Sequence, residues 1–283
     1  MTSWHAARDL LAVVPGAQQF IASPTGQALR YWLALHFEKR RHYTFTQFSR
    51  LPTQLDALTG PVLDFLGAQK TLRIVVMGCS TGAEPYTLSS LLLQRRPDLA
   101  VEIEAFDIDR GTLDIARNAT YDAATVFANP LVSESFAAMT FDRDGERMTV
   151  KPAVAARVSF QLKDAADSRL KSELAPADIV FAQNLMCNLR RPLATRVFDN
   201  AVALLKPRAA LVVDGMDVDM RQRRSRRFGL LPLDYEIEQI HREAAVVRGE
   251  RYPWEAAGLE PFSSDRRDWK RRYATIFLNG AAV

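Results

Sequence analysis

The hydrophobic positions of this chain change their spacing repeatedly, and each change predicts the boundary of an element. Residues 74–77 form a short β-branched and apolar run, which is typical of a strand buried on both faces. The run ends at Gly78, and after a turn of small residues the apolar side chains of residues 85–92 follow helical spacing. The stretch therefore predicts a strand, a tight turn and a helix. This arrangement places backbone N–H groups and a helix N-terminus at the carboxyl end of a strand.

Strand and helix patterns continue to alternate through the middle of the chain. Further strands are predicted at residues 101–106, 158–162, 177–181 and 210–213, with helices at residues 112–118 and 192–205. This order is typical of an α/β fold with a mostly parallel, doubly wound sheet. In such folds ligands bind in the crevice at the carboxyl ends of the strands.

One central segment and the C-terminal part depart from this alternation. In residues 139–150 an Asp144-Gly145 pair lies between β-favouring flanks, which predicts a β-hairpin. Residues 235–240 and 274–278 predict two further strands, which would close the sheet as an antiparallel pair. The long connection between them would then emerge at the ligand-binding edge and cover it.

The N-terminal part is predicted to be helical over residues 1–68. Helical spacing covers residues 26–43, and a second helix at residues 53–66 is expected to break around Gly60 and Pro61. The expected organisation is a helical domain at residues 1–68 and an α/β domain at residues 69–283, with a β-hairpin insertion at about residues 138–156 and a second insertion at about residues 241–273.

Composition is that of an ordinary globular protein of 283 residues, with 48% hydrophobic and 25% charged residues. No apolar run approaches the roughly 20 residues of a membrane span, and the N-terminus lacks the basic segment and apolar core of a signal peptide. We therefore expect a cytoplasmic protein without a membrane span. Cys79 and Cys187 are far apart and the four histidines lack metal-ligand spacing, so neither a disulfide nor a metal site is expected.

The net charge of +4 arises partly from two basic clusters, one from Arg221 to Arg227 and one at residues 266–272. Such clusters are either solvated helix faces or docking sites for an acidic protein or an anionic ligand, and both alternatives stay open. Aromatic residues do not alternate with these arginines as they do in a nucleic-acid platform. Nucleic acid is therefore not an expected partner.

An acidic residue ends the second predicted strand. Asp107 lies about 25 positions after Gly82, close to the spacing at which such a carboxylate binds the ribose hydroxyls of a nucleotide. The turn at Gly78, the second strand and its terminal acid together predict a nucleoside-binding crevice.

Four segments, taken in order, resemble one protein family. They are residues 78–86 (GCSTGAEPY), residues 107–109 with Ala116 and Arg117, residues 178–184 (DIVFAQN) and residues 204–207 (LLKP). In these residues the chain is similar to the chemotaxis-receptor glutamate methyltransferases of the CheR type. The resemblance implies a class I S-adenosylmethionine methyltransferase fold (Rossmann-like) with a small N-terminal helical domain and a small β-subdomain. It also implies S-adenosylmethionine as the cofactor and S-adenosylhomocysteine as its product.

The resemblance further implies the residues of the site. Phe48-Ser49-Arg50 is similar to a segment whose arginine faces the active site from the helical domain. The expected cofactor-binding residues are Thr46, Arg50, Gly78, Ser80, Thr81, Gly82, Glu84, Asp107, Ile108, Asp164, Ala165 and Asn184. The expected catalytic residues are Arg50, Asn184 and Asn188.

Three positions depart from the family pattern. Ala83 replaces a glutamate of the cofactor loop, Gln183 replaces an arginine after the fourth strand, and Asn188 stands where the family has a tyrosine. The groups that are missing line the acceptor site of the family. The cofactor half of the site therefore resembles the family, whereas the acceptor half differs from it.

A carboxylate acceptor is already ionised at neutral pH, so its methylation needs no general base. Catalysis then depends on holding the reacting atoms in line and excluding water, and Arg50 is suited to orient the carboxylate by a bidentate contact. An amine acceptor is disfavoured because residues 184–187 lack an Asn/Asp-Pro-Pro-aromatic turn. Cys187 lacks the preceding proline and basic neighbour of a nucleophile that attacks pyrimidines.

Three functions remain. The first is a CheR-like methyltransferase that acts on a carboxylate, either a protein glutamate or a small-molecule acid. The second is a diverged enzyme of biosynthesis that methylates a non-carboxylate group of a small metabolite, which the altered acceptor segment favours. The third is an S-adenosylmethionine-binding regulator without catalysis.

Overall fold

A computed structural model of the chain describes residues 46–248 and 260–280, and the helix predicted at residues 26–43 lies outside them. The strands are β1 Thr71–Met77, β2 Ala100–Asp107, β3 Thr120–Asp122, β4 Phe141–Asp144, β5 Arg147–Val150, β6 Val158–Leu162, β7 Ala177–Gln183, β8 Leu205–Asp214, β9 Leu231–Pro232 and β10 Ile276–Asn279. The helices are α1 Pro52–Ala57, α2 Leu63–Leu66, α3 Ala83–Arg95, α4 Arg110–Asn118, α5 Ala123–Val126, α6 Glu134–Thr140, α7 Pro152–Ala155, α8 Leu170–Glu173, α9 Arg191–Ala203, α10 Val218–Arg227, α11 Ile237–Arg248 and α12 Trp269–Tyr273.

The central sheet has seven strands in the order β6-β2-β1-β7-β8-β10-β9. Neighbouring strands from β6 to β8 are parallel, whereas β10 runs antiparallel to both β8 and β9. This arrangement confirms the predicted α/β class with an antiparallel strand near its edge. The strand predicted at residues 274–278 corresponds to β10.

The side chains of β1 alternate between two hydrophobic clusters. Ile74 and Val76 face the cluster that contains α3, while Val75 and Met77 face the cluster that contains α9, and all four are completely buried. Side chains of successive strand residues point to opposite faces, so β1 is the doubly buried strand that its apolar run predicts.

The order of the strands reverses beside β1. From β1 the chain moves outward to β2 and β6, and it then returns to the other side of β1 with β7 and β8. Helices α3 and α9, which follow β1 and β7, consequently pack on opposite faces of the sheet. A crevice opens at such a reversal, at the carboxyl ends of the two strands.

A second, three-stranded sheet has the order β3-β5-β4. Strands β4 and β5 form the predicted hairpin at Asp144 and Gly145, whereas β3 was not predicted. Phe48 packs against this sheet, with its ring centroid 5.0 Å from that of Tyr121 and 5.1 Å from that of Phe141. The small sheet therefore supports the segment that leads to Arg50.

The prediction of a strand at residues 235–240 is wrong, because helix α11 begins at Ile237. Ile237, Ile240 and Ala244 are buried, and their spacing of three and four residues is helical. The six-residue alternation that suggested a strand is too short to reveal this longer period. Strand β9, the neighbour of β10, instead consists of Leu231 and Pro232.

The helix predicted at residues 53–66 breaks as expected, because Gly60 has non-helical backbone angles between α1 and α2. Leu55, Leu58 and Val62 pack in the same cluster as the central sheet. The domain boundary near residue 68 stays a prediction. Across the two described ranges, none of the helices combines the length and the apolar character needed to cross a membrane.

Candidate functional site

A pocket with a cavity volume of about 110 Å³ lies over the carboxyl ends of β1, β2, β6 and β7. The predicted residues that line it are Thr46, Arg50, Gly78, Ser80, Glu84, Asp107, Ile108, Asp164, Ala165, Asn184 and Asn188. They come from distant parts of the sequence, and the fold brings them to one crevice. Thr81 and Gly82 are the predicted site residues that are not part of this lining.

The turn after β1 approaches the pocket closely because of its glycines. Gly78 has a φ of 72°, and a Cβ atom placed on it would lie 3.0 Å from a methyl carbon of Leu185. The backbone N–H of Gly78 donates to the carbonyl oxygen of Phe106 over 2.8 Å, which joins the turn to β2. A side chain at this position would therefore push the turn away from the opposite wall.

Thr81 and Gly82 shape the same turn from behind. The Thr81 carbonyl oxygen accepts a hydrogen bond from the hydroxyl of Tyr121 at 2.6 Å. Gly82 has a φ of 90°, and a Cβ atom on it would lie 3.1 Å from that of Ala116. Thr81 joins the turn to β3, and Gly82 lets the start of α3 approach α4, so the geometry places both residues behind the turn.

Two carboxylates are held by backbone hydrogen bonds along the β2 and β6 side of the pocket. Asp107 accepts from the N–H of Ser80 at 2.8 Å and from the N–H of Asp109 at 3.0 Å. Asp164 accepts from the N–H of Ala166 at 2.9 Å. The apolar side chain of Ile108 is 46% exposed in the same lining. Fixed acceptors beside an exposed apolar side chain suit a ribose and a flat heterocycle.

Arg50 reaches the pocket from residues 46–51, which we call the Arg50 segment. Its neighbour Ser49 has a φ of 46° and donates its N–H to the hydroxyl oxygen of Thr87 at 3.1 Å. The buried amide of Asn129 donates to the carbonyl oxygens of Phe48 and Ser49 at 2.9 and 3.0 Å. The guanidinium is consequently presented by a segment that α3 and the small sheet's connections hold from two sides.

The C-terminal insertion supports the Arg50 segment from a third side. Leu51 packs with Ile240 and Ala244 of α11, and the carboxylate of Glu243 accepts from the Thr53 N–H at 3.1 Å. Among the described residues of this insertion, none lines the pocket. The described part of the insertion therefore holds α1, and the expectation that the insertion covers the ligand stays a prediction.

Glu84 lies in the first turn of α3 and its side chain is partly buried in the pocket wall. Burial raises the pKa of Glu84 to about 7, the positive charge of Arg50 opposes this rise, and the negative charge of Asp214 adds to it. Its Oε1 atom is buried without a hydrogen-bond partner among the described residues. A cationic ligand group would satisfy this oxygen.

Asn184 and Asn188 form the end of the pocket after β7. Asn184 has a φ of 49°, and its N–H donates to the carbonyl oxygen of Asp214 at 2.8 Å. The amide of Asn188 donates to the Asn184 carbonyl oxygen at 3.1 Å. Gly215 passes so close that a Cβ atom on it would lie 2.6 Å from the Cα of Asn184.

Sequence reasoning missed part of the lining. The additional residues are Phe106, Asp109, Thr112, Lys163, Ala166, Gln183, Leu185, Leu189, Leu193 and Val197. Leu193 and Val197 are four residues apart, a helical spacing that indicates one face of α9, and Leu189 lies just before this helix. Gln183 lies two residues beyond the strand predicted at residues 177–181, and the sequence marked it only as a departure from the family pattern.

The basic cluster from Arg221 to Arg227 is only partly exposed. Arg221 is buried, 3.7 Å from the carboxylate of Asp214, and donates to the carbonyl oxygen of Arg272 at 2.6 Å. Arg224 binds the carboxylate of Asp199. A solvated face or a docking surface on this helix is therefore limited to its exposed arginines, which are Arg223, Arg226 and Arg227.

The charges of the pocket fit S-adenosylmethionine. Glu84, Asp107 and Asp164 contribute carboxylates, whereas Arg50 and Lys163 contribute cationic groups. The cofactor carries a sulfonium and an ammonium group beside a single carboxylate, so an excess of protein carboxylates attracts it. Glu84 and Asp107 would hold its cationic and ribose groups, and Arg50 its carboxylate or that of the acceptor.

Comparison with known proteins gives a consistent result. Residues 44–233 match the family described as CheR methyltransferase, SAM binding domain. The chain is 26% identical over 221 residues to the probable biofilm formation methyltransferase WspC of Pseudomonas aeruginosa, which covers 76% of this chain and 51% of that protein. It is also 30% identical over 199 residues to chemotaxis protein methyltransferase 2 of the same organism. This alignment covers 68% of this chain and 64% of that protein.

The chain therefore spans between 51% and 64% of the length of these two relatives. A solved structure of SAM-bound magnesium protoporphyrin IX methyltransferase from Synechocystis PCC 6803 aligns with a TM-score of 0.39 and 13% identity over 76% of this chain and 85% of that one. That likeness is too low to support an assignment. Because the family match covers most of the chain and includes the whole pocket, the chain belongs to the CheR methyltransferase family and its cofactor is S-adenosylmethionine.

Proposed function

We propose that this chain acts in the cytoplasm and transfers the methyl group of S-adenosylmethionine to a carboxylate oxygen of an acceptor, either a protein glutamate or a small-molecule acid. The observation that supports this most directly is the placement of Arg50, a residue that is 8% exposed and lines the pocket. The relatives named as chemotaxis and biofilm formation methyltransferases are in keeping with a protein acceptor.

The cofactor supplies a methyl group that is already activated on sulfur. The task of the protein is then to hold an ionised carboxylate in line with it and to exclude water. Arg50 has the planar donor fork that binds a carboxylate in two places. The apolar side chains of Leu189 and Leu193 line the same crevice, and they help to keep water from the reacting atoms.

A transfer assay tests this proposal. The purified chain is incubated with S-adenosylmethionine labelled in the methyl group and with a bacterial lysate, and the protein and small-molecule fractions are separated. We expect label that mild base releases as methanol, because carboxyl methyl esters are base-labile. Base-stable label in both fractions would refute a carboxylate acceptor.

Two variants connect the assay to Arg50. Arg50→Met removes the guanidinium and should reduce transfer about 100-fold, the effect of removing one preorganised charge-stabilising donor, whereas Arg50→Lys should recover only part of this. Arg96→Met is the matched control, because Arg96 is paired with Asp98 on the surface. Undiminished transfer by Arg50→Met would contradict the role given to Arg50.

The acceptor corner keeps one alternative open. Gln183 gives this corner a neutral amide, and this observation favours a non-carboxylate group of a small metabolite as a second candidate. Base-stable label in the organic-extractable fraction would support it. Cofactor binding without any transfer would instead support a regulator without catalysis.

The exposed arginines Arg223, Arg226 and Arg227 are proposed to contact an acidic protein partner. A triple exchange to glutamine should weaken such an association and make it less salt-dependent, without changing cofactor affinity. Equal binding of partner proteins by the triple variant and the wild type would exclude this surface.

A further inference from the structure

Gln183 is the last residue of β7 and lies where the pocket meets a smaller cavity behind it. The side chain is 6% exposed. Together with Arg50 and Glu84 it lines both spaces, so these three side chains form the wall between them. A buried polar side chain needs hydrogen-bond partners, and these partners fix its orientation.

Two other chain segments direct this side chain. The amide nitrogen of Gln183 donates to the carbonyl oxygen of Gln54, and the amide nitrogen of Gln54 donates to the hydroxyl oxygen of Thr275 at 2.7 Å. Gln54 belongs to α1 and Thr275 lies directly before β10, and both are buried. The Thr275 carbonyl oxygen accepts from the N–H of Val213 at 2.8 Å, which ties the end of this relay to β8.

The relay determines which group Gln183 can offer to a ligand. Because the amide nitrogen of Gln183 donates one N–H to Gln54, the side chain keeps its carbonyl oxygen as an acceptor, together with one further N–H. Reversal of the Gln183 amide would require Gln54 to reverse as well, with the Thr275 hydroxyl donating instead of accepting. In the arrangement that the structure shows, Gln183 offers its carbonyl oxygen to the pocket as a hydrogen-bond acceptor.

The position of Gln183 identifies the part of the ligand that it meets. Asp164 and Asp107 lie at the ends of β6 and β2, on one side of β1, and suit the nucleoside. Gln183 lies at the end of β7, on the other side of β1, beside Arg50 and Glu84. This is the end of the pocket that remains for the sulfur-bound methyl group and the methyl acceptor.

We infer that Gln183 is a specificity-determining residue of the acceptor corner, and that the pocket selects an acceptor with an N–H or O–H donor next to the group that is methylated. The inference rests on the proposed methyl transfer and names the acceptor more closely. Arg50 binds the carboxylate, and the Gln183 carbonyl oxygen accepts from the neighbouring donor. A glutamate within a peptide, with its backbone N–H groups, belongs to this class, whereas an acid that has no such donor does not.

The orientation of Gln183 can be tested without knowing the acceptor. Sinefungin is a cofactor analogue with a C–NH₃⁺ group in place of the S-methyl group, whereas S-adenosylhomocysteine has no group at that position. The ratio of their affinities, measured by titration calorimetry, therefore reports on the acceptor corner. We expect Gln183→Leu to lower the affinity for sinefungin about tenfold or more, and that for S-adenosylhomocysteine less than threefold, because one hydrogen bond to a cation is lost.

Two further variants test the relay. Gln183→Glu keeps an acceptor oxygen and should retain sinefungin binding, while Gln54→Leu releases the Gln183 amide and should reproduce the loss seen in Gln183→Leu. Gln222→Leu is the control, since Gln222 is a partly buried glutamine that binds Asp268 outside the pocket, and it should leave the ratio unchanged.

Equal losses for both ligands in Gln183→Leu, or a loss of sinefungin binding in Gln183→Glu, would overturn the inference. A wild-type ratio in Gln54→Leu would overturn the relay. None of these measurements involves methyl transfer. Base-stable label in the transfer assay would therefore refute the carboxylate proposal and leave the sinefungin result standing.

Discussion

Cofactor affinity is expected to depend on the ionisation of Glu84. Burial raises the pKa of Glu84 to about 7, with Arg50 opposing the rise and Asp214 adding to it. Asp214 in turn lies 3.7 Å from Arg221. Because S-adenosylmethionine carries a sulfonium and an ammonium group, ionised Glu84 should bind it more strongly than neutral Glu84 does.

The size of the effect follows from this pKa. With a value of about 7, about 9% of Glu84 is ionised at pH 6 and about 91% at pH 8. If the ionised form is the one that binds, affinity rises about tenfold between these pH values, or about 1.4 kcal/mol. Affinity must rise with pH, because below pH 7 Glu84 has to release a proton before the cation binds. Above pH 7 Glu84 is already ionised.

Titration calorimetry with S-adenosylmethionine at pH 6, 7 and 8 measures this dependence. In two buffers with different ionisation enthalpies, about half a proton should be released per ligand at pH 7. Glu84→Gln should bind more weakly at pH 8 and lose the pH dependence, whereas Glu102→Gln, at an exposed position on β2, should behave as the wild type. A tenfold rise that persists in Glu84→Gln, or a flat wild-type profile, would refute the reasoning.

The same group affects stability, with a defined sign. Folding raises the pKa of Glu84 above its ordinary 4.5, so the folded state favours the protonated form. The wild type therefore loses stability as the pH rises from 4.5 through 7, and Glu84→Gln does not. The melting temperature of the variant relative to the wild type should increase between pH 5 and pH 8.

Three further predictions concern residues around the site. Asn129→Ala leaves two buried carbonyl oxygens of the Arg50 segment without donors. Denaturation should therefore show a free energy of unfolding that is lower by about 1–3 kcal/mol, and calorimetry should show weaker cofactor binding. Asn129→Asp also lacks the amide donor and should restore neither property. Gly215→Ala should lower the free energy of unfolding by about 1–3 kcal/mol, because its φ of 62° and the nearby Asn184 leave no room for a Cβ, and an unchanged urea midpoint would disagree. Burial raises the pKa of the Cys79 thiol far above its ordinary value, so maleimide at pH 8 should not modify Cys79 in the folded protein, and mass spectrometry would detect a modified peptide if it did.

The parts of the fold that sequence reasoning predicted correctly are those set by local patterns. The turn at Gly78 follows an apolar run and precedes a helical period, and all three signals lie within one short stretch. Asp107 was found in the same way, because its spacing from the turn is a property of one strand-helix-strand unit. The hairpin at Asp144 needed only its own turn residues.

The parts that were missed depend on distant partners. Strand β3 has three residues and pairs with β5, so its own sequence carries almost no pattern. Asn129 supports the Arg50 segment across about 80 positions of sequence, and nothing near it in the chain indicates this. Residues 235–240 alternate as a strand does, but burial of Ile237, Ile240 and Ala244 against other elements favours the helix.

The two halves of the pocket differ in whether local or distant contacts hold them. The Ser80 N–H and the Asp107 carboxylate join neighbouring turns, so the cofactor half is held by contacts within one local unit. The acceptor corner instead needs Gln54, Gln183 and Thr275, which come from three distant segments. Replacing one member alone leaves a buried polar group without a partner, at a cost of about 1–3 kcal/mol. We therefore expect a new acceptor preference to require joint changes along the relay, and we expect these changes to leave the cofactor half intact.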